Sequence, residues 1–179
     1  KEIVGKVNKL SHKEKFTYQN NNYAKTKLLA EKLVIKEKGL VLRTNFIGRN
    51  FSNRESLSDW IIKSLKTKKY INVYENVYFS PLYVKSLCAI INRIKKKRIS
   101  GIYNLGSKKG MSKQEFASLL CHKLKYDKSF LKKKSFLRKN KLANRPLDMR
   151  LDSSLFEKKF NIVLPNMSSE IFKLAKDYK

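Results

Sequence analysis

Apolar residues recur at three- and four-residue intervals through Ala24, Leu28, Leu29, Leu33 and Val34, a spacing that predicts an amphipathic helix from about Asn20 to Lys38, stopped by Gly39. Directly after it, Leu40 to Asn45 is short, apolar and rich in strand formers, as expected of a helix feeding a buried strand. A polar loop through Arg49 to Glu55 leads to a predicted helix over Leu57 to Lys66, a strand at Tyr70 to Val73 and a helix beginning near Pro81, where proline suits a first helical turn. Gly101 to Gly106 reads as a strand closed by glycines, and Ser112 with Glu115 has the spacing of a capping box, so a helix is expected from there to about Leu124. Asp152 and Ser153 read as the cap of a short helix, and Ser168 as the start of the last one. Strands alternating with helices make this a mixed α/β chain, with too few strands for a complete doubly wound sheet.

Composition refines that picture. The chain has 179 residues, 41% of them hydrophobic and 11% aromatic, enough apolar material for a core in spite of the charge. Its formal net charge is +28, which raises nucleic-acid binding as one reading. The excess is 34 lysines against 8 arginines, spread through every predicted helix and loop; base-reading proteins use arginine and gather their charge on one face. Abundant Asn and Ile accompany the lysines, as in a general compositional drift, and nucleic acid is therefore not the expected partner. The densest basic stretch, Lys123 to Arg145, is expected to be a solvated excursion. Cys88 and Cys121 sit among apolar neighbours and read as buried free thiols, while His12 and His122 are isolated, so no metal site is expected. No apolar run approaches the length that spans a bilayer, and no signal segment is read near Lys1, so a cytoplasmic protein is expected.

One pair of residues carries chemistry. Tyr23 and Lys27 are four apart, which on a helix places both side chains on one face. A phenol with a pKa near 10 is a poor acid–base catalyst at neutral pH, and an adjacent ammonium favours its ionised form. Lysine is so common here that nine tyrosines should yield one or two such pairs by accident, and the pair alone decides nothing.

Its context does more. Asn21, Tyr23, Lys27 and Glu31 stand in the pattern N-x-Y-x-x-x-K-x-x-x-E, and LVLRTNFIG from Leu40 to Gly48 follows as an arginine-containing strand ending in glycine. FSPLYVKSL from Phe79 to Leu87, GIYNLG from Gly101 to Gly106, SKQEFA from Ser112 and RPLDMRLD from Arg145 to Asp152 come next. In this order the segments resemble the extended short-chain dehydrogenases/reductases, and the last of them resembles the dTDP-4-dehydrorhamnose reductase group.

The resemblance implies the C-terminal part of a Rossmann-type fold without its N-terminal dinucleotide-binding strands. Residues 1–48 would end the Rossmann-type part with the catalytic helix, and 49–179 would be mainly substrate-binding. It implies NAD(P)-dependent reduction of a 4-keto nucleotide sugar, with NADP or NAD as cofactor and Tyr23 as general acid. Lys27 would be its electrostatic partner and ribose clamp. Thr44 and Asn45 would lie beside the nicotinamide, and Phe46, Pro81, Tyr83 and Arg145 would line the substrate cleft, the guanidinium suiting a diphosphate. Phe46 and Tyr83 read equally well as core aromatics, and Arg43 as a structural ion-pair partner. A related epimerase or dehydratase, a non-catalytic nucleotide-sugar-binding module and a homodimer are all compatible with the same resemblance. Two departures stand out. None of the six glycines forms the family's glycine-rich dinucleotide turn, and Ser86 occupies a position where the family pattern has aspartate. The expectation is a fragment that is inactive alone.

Overall fold

A computed structural model describes residues 22–52, 54–137 and 146–179. Helix α1 spans Asn22–Lys36 and strand β1 spans Leu40–Thr44, joined by a three-residue reversal in which Lys38 adopts φ 54° and the Gly39 N–H donates to the Val34 carbonyl at 2.8 Å. Lysine, not glycine, takes the left-handed position. Gly39 is needed for a different reason: a Cβ there would lie 2.6 Å from Val34 Cγ1. Strand β2 (Phe46–Ile47) follows at once, then α2 (Leu57–Lys66), β3 (Ile71–Tyr74), β4 (Tyr78–Phe79) and β5 (Leu82–Tyr83).

Helix α3 covers Val84–Ile94, three residues later than proline placement predicts. Pro81 is not in a first helical turn; the Leu82 N–H is committed to the Asn45 carbonyl at 3.1 Å, which keeps the segment extended beside β2. Strand β6 (Gly101–Leu105) begins on a glycine at φ +123°, a conformation that other residues rarely adopt. Strand β7 (Met111–Ser112) leads into α4 (Lys113–Lys123), whose capping box between Ser112 and Glu115 forms as expected. After a short 3-10 turn at Lys128–Phe130 come β8 (Leu131–Lys134), β9 (Asp148–Met149), α5 (Ser154–Phe160) and α6 (Met167–Lys176).

The pairings β1 with β6, β2 with β5 and β3 with β8 are parallel, while β4 pairs with β7 antiparallel and with β9 in parallel. This is the α/β architecture expected. The five two-residue strands, β2, β4, β5, β7 and β9, have too few residues to show periodicity and were not expected. The solvated excursion is corrected in part: Lys132, Lys133 and Lys134 lie in β8, hydrogen-bonded to β3, with Lys133 paired to Glu75 at 2.7 Å and the Lys132 ammonium 4.3 Å from the Tyr70 ring centroid. Backbone pairing holds the strand, and the long lysines reach away from it. Residues 138–145 lie outside the described part.

Two hydrophobic clusters form the core. One joins α2, β3, α4 and α6 around Ile61, Phe116, Leu120 and Ile171; the other joins α3, β6 and α5 around Leu82, Leu105, Phe156 and Phe160. Cys121 is buried, whereas Cys88 is exposed on α3, so the expectation of two buried thiols holds for one. The apolar neighbours Leu87 and Ile90 take the inner face of that helix and turn Cys88 outward.

A carboxylate from α6 heads α3. Glu170 is fully buried; its Oε2 accepts the Tyr83 N–H at 2.8 Å, and its Oε1 accepts Ser86 Oγ at 3.1 Å and Lys173 Nζ at 2.7 Å. Negative charge at a helix N-terminus is favourable. The acid at the head of α3 thus comes from α6, and Ser86 on α3 itself donates to it.

Candidate functional site

Tyr23 lies in the first turn of α1 and Lys27 one turn on; the ammonium sits 5.6 Å from the tyrosine ring centroid. The two groups project side by side, as helical spacing requires. Tyr23 is 72% exposed and no residue of α1 is fully buried, so the face that carries the pair is open.

What aims this face is the next residue in the same row. Glu31, one further turn along, receives Arg43 Nε at 2.8 Å and Nη2 at 2.7 Å, a two-pronged ion pair whose side chains are each about 15% exposed or less. Arg43 is therefore the structural partner that the sequence suggested. α1 runs antiparallel to β1, so stepping back from Glu31 to Lys27 covers roughly 6 Å of helix. A step from Arg43 to Asn45 covers roughly the same length of strand. Ideal spacings therefore direct Lys27 and Tyr23 from the clamp toward the carboxyl end of β1, the end at which open α/β sheets bind their ligands.

Thr44 and Asn45 are both half-buried. Asn45 Nδ2 reaches the Met149 carbonyl at 3.5 Å, while its Oδ1 is buried without a hydrogen-bond partner. An acceptor in that state is costly unless something donates to it. Phe46 is 63% exposed and so is not a core aromatic. Tyr83 is the reverse: it is buried, and its hydroxyl donates to Asp177 Oδ2 at 2.5 Å. Burial and this bond push the Tyr83 phenol above its ordinary pKa. Pro81 is buried too. Tyr83, in β5 beside β2, belongs to a buried hydrophobic cluster. Arg145 lies outside the described residues, as does Asn21.

Lys27 carries N–H donors and Asn45 Oδ1 is an acceptor with no partner, the two kinds of group a ribose and a carboxamide engage, while the sequence has no glycine-rich turn. Among the described residues no cluster of metal-ligating side chains forms, and no helix is long and apolar enough to cross a membrane. Sequence reasoning missed Glu170 and Asp177, which act across more than eighty residues of chain separation and leave no local pattern.

Residues 8–179 match the RmlD substrate binding domain. No curated protein sequence matches the chain. Among solved structures, a dTDP-4-dehydrorhamnose reductase from Bacillus anthracis in complex with NADP is 20% identical, with TM-score 0.74 over 89% of this chain and 56% of the other. A hypothetical dTDP-4-dehydrorhamnose reductase from Sulfolobus tokodaii is 26% identical, with TM-score 0.71 over 87% of this chain and 54% of the other. A dTDP-glucose 4,6-dehydratase from Bacillus anthracis in complex with NAD is 17% identical, with TM-score 0.74 over 98% of this chain and 57% of the other. The fold is thus the C-terminal part of the Rossmann-type extended short-chain dehydrogenase architecture, and the chain spans little more than half the length of these structures.

Proposed function

The chain belongs to the RmlD substrate binding domain family, and from that premise we propose that it forms the substrate side of an NAD(P)-dependent reductase acting on a 4-keto nucleotide sugar. The observation that supports this reading is the Tyr23–Lys27 pair, side by side on a helix that the Glu31–Arg43 clamp ties to β1. We assign residues 1–48 to the Rossmann-type part and 49–179 mainly to substrate binding.

In this reading the Tyr23 hydroxyl gives its proton to the oxygen of the sugar ketone, and the negative charge left on the phenol is stabilised by the ammonium of Lys27. The same ammonium has donors to spare for the ribose hydroxyls of the cofactor. A bound nicotinamide, NADPH or NADH, supplies the hydride to the carbon. Phe46, exposed at the start of β2, packs on a ring of the substrate or cofactor, and Asn45 Oδ1 accepts a hydrogen bond from it. Arg145 suits the substrate diphosphate.

The cofactor's pyrophosphate has no seat here, so the 179-residue chain alone is expected to show no turnover. Joined to a dinucleotide-binding half it should reduce dTDP-4-dehydrorhamnose, and Tyr23→Phe should then lower kcat by about a hundredfold or more with KM little changed. Undiminished activity in Tyr23→Phe would sink the assignment. Turnover by the isolated chain with NADPH would sink the view that it lacks a cofactor seat.

A further inference from the structure

Lysines spread along a chain do not by themselves select a nucleic acid, but the two-stranded sheet of β3 and β8 sets them among aromatic rings. Side chains alternate in direction along a strand. Ile71 and Val73 of β3 are buried in the first hydrophobic cluster, and Leu131 of β8 packs against it, so this row faces inward. The other row holds Tyr70, Asn72 and Tyr74 beside Phe130, Lys132, Lys134 and Phe136. Tyr70 is 59% exposed, and Asn72, Lys132 and Lys134 are exposed as well.

Rings stand at both ends of this outer row, with the ammonium groups between them. Tyr70 tilts against Phe130 with centroids 5.3 Å apart, and Tyr74 meets Phe136 edge-on at 5.2 Å. Phe136 is pinned by its backbone, whose N–H donates to Asn76 Oδ1 at 2.7 Å and whose carbonyl accepts Asn76 Nδ2 at 3.1 Å. The Lys132 ammonium lies 4.3 Å from the Tyr70 ring centroid. The two acids nearest in sequence are engaged elsewhere. Glu75 takes Lys133 at 2.7 Å and the Ser135 hydroxyl at 2.6 Å, both on the opposite row, and Asp127 accepts the N–H and hydroxyl of Ser129. Lys132 and Lys134 therefore have no carboxylate partner among the described residues.

We propose that this sheet face binds single-stranded nucleic acid, with bases stacked on Tyr70 and Tyr74 and phosphates held by Lys132 and Lys134. Four strand residues span roughly 13 Å, and aromatics on a sheet face at such spacing can stack two or three splayed bases. A base that arrives at Tyr70 takes the place of the Lys132 ammonium over the ring, and the ammonium turns to the adjoining phosphate, so one ring contact is exchanged for another. A duplex keeps its bases stacked on one another and a lipid headgroup offers no ring, so neither makes use of the tyrosines. The inference does not rest on the reductase reading.

The test is fluorescence anisotropy of a labelled oligothymidylate of about ten nucleotides, titrated with the 179-residue chain at about 0.15 M salt. It should bind saturably, about tenfold or more tighter than an abasic strand or a duplex of the same length. The double variant Tyr70→Ala/Tyr74→Ala should weaken binding by about tenfold or more and leave the slope of log affinity against log salt unchanged. Lys132→Gln/Lys134→Gln should instead flatten that slope by about one or more. Phe51→Ala, which removes an exposed ring from the loop before α2, should stay within about twofold of the parent. In the unaltered chain the oligonucleotide should slow acylation of Lys132 and Lys134 but not of Lys36 at the end of α1, a readout that does not depend on the variants folding. Repeating the titration with oligouridylate assigns the natural strand, tighter binding to RNA and weaker to DNA, and either result upholds the proposal. Absence of saturable binding, an abasic strand that binds as well, or undiminished affinity in the tyrosine variant would each overturn it. So would an equal loss in Phe51→Ala, equal protection of Lys36, or displacement of the oligonucleotide by vesicles of phosphatidylserine and phosphatidylcholine at equal phosphate concentration.

Discussion

At the scale of single residues, the reactive pair depends on a contact it does not itself make. Glu31 and Arg43 fix α1 against β1 through two charged hydrogen bonds in a half-buried setting. Glu31→Gln keeps the shape and removes the charge, and should lower unfolding free energy by about 2 kcal/mol in urea titrations. A change near zero would mean the clamp is worth no more than a surface pair. Asp59 provides a second test. Burial acts to raise its pKa, but hydrogen bonds from Ser56, Tyr178 and Asn50 outweigh it and hold the carboxyl below its ordinary value. A carboxyl depressed in the folded state contributes stability above its unfolded pKa near 4 and loses it as the pH falls through the folded value. Its partner Tyr178 is pushed up to about 12 by burial and by Asp59, so its contribution is present below about pH 10 and lost as pH rises toward 12. Asp59→Asn should therefore be less stable at pH 7, and its deficit should shrink at about pH 3. Thermal melts across that range would show it, and a deficit that did not change with pH would contradict the assignment.

At the scale of elements, legibility followed length and locality. α2 and β6 were readable to within a residue, and α4 began where Ser112 and Glu115 announce it, because the signals for these elements are contained in the segment itself. Ser56→Ala, which removes the Ser56–Asp59 capping box of α2, should cost about 1 kcal/mol, visible as a lower urea midpoint with an unchanged slope. A midpoint equal to the parent's would show that Asn50 and Tyr178 hold the helix start without the cap. What was not legible was decided from elsewhere in the chain. Pro81 looks like a helix start, but the Asn45 carbonyl draws the following N–H into a strand. Lys132 to Lys134 look like a solvated run, yet β3 supplies a backbone partner. Ser153 looks like a side-chain cap for α5, but its hydroxyl accepts the Gly106 N–H at 2.9 Å, and Asp152 instead accepts the Ser154 N–H at 3.0 Å.

At the scale of the whole molecule, Tyr23 and Lys27 were singled out by their place in the family pattern, and helical spacing brings the two side chains together as expected. Tyr83 could not be assigned to core or cleft from sequence, because that depends on Asp177, 94 residues away. The net charge of +28 is also a property of the whole chain, and self-repulsion at low salt follows from it. The melting temperature should rise when sodium chloride is increased from about 0.01 M to about 0.3 M, as the screening length contracts from roughly 30 Å to below 10 Å. A fall would mean that ion pairs such as Lys85–Asp177 and Lys173–Glu170 outweigh the repulsion.

The acid at the head of α3 has a consequence for the order in which the molecule can be built. Glu170 follows the backbone amide of Tyr83 and the hydroxyl of Ser86 by more than eighty residues. On the growing chain those donors are hydrated until α6 packs against α3, and a chain shortened before α6 loses the acceptor that both share.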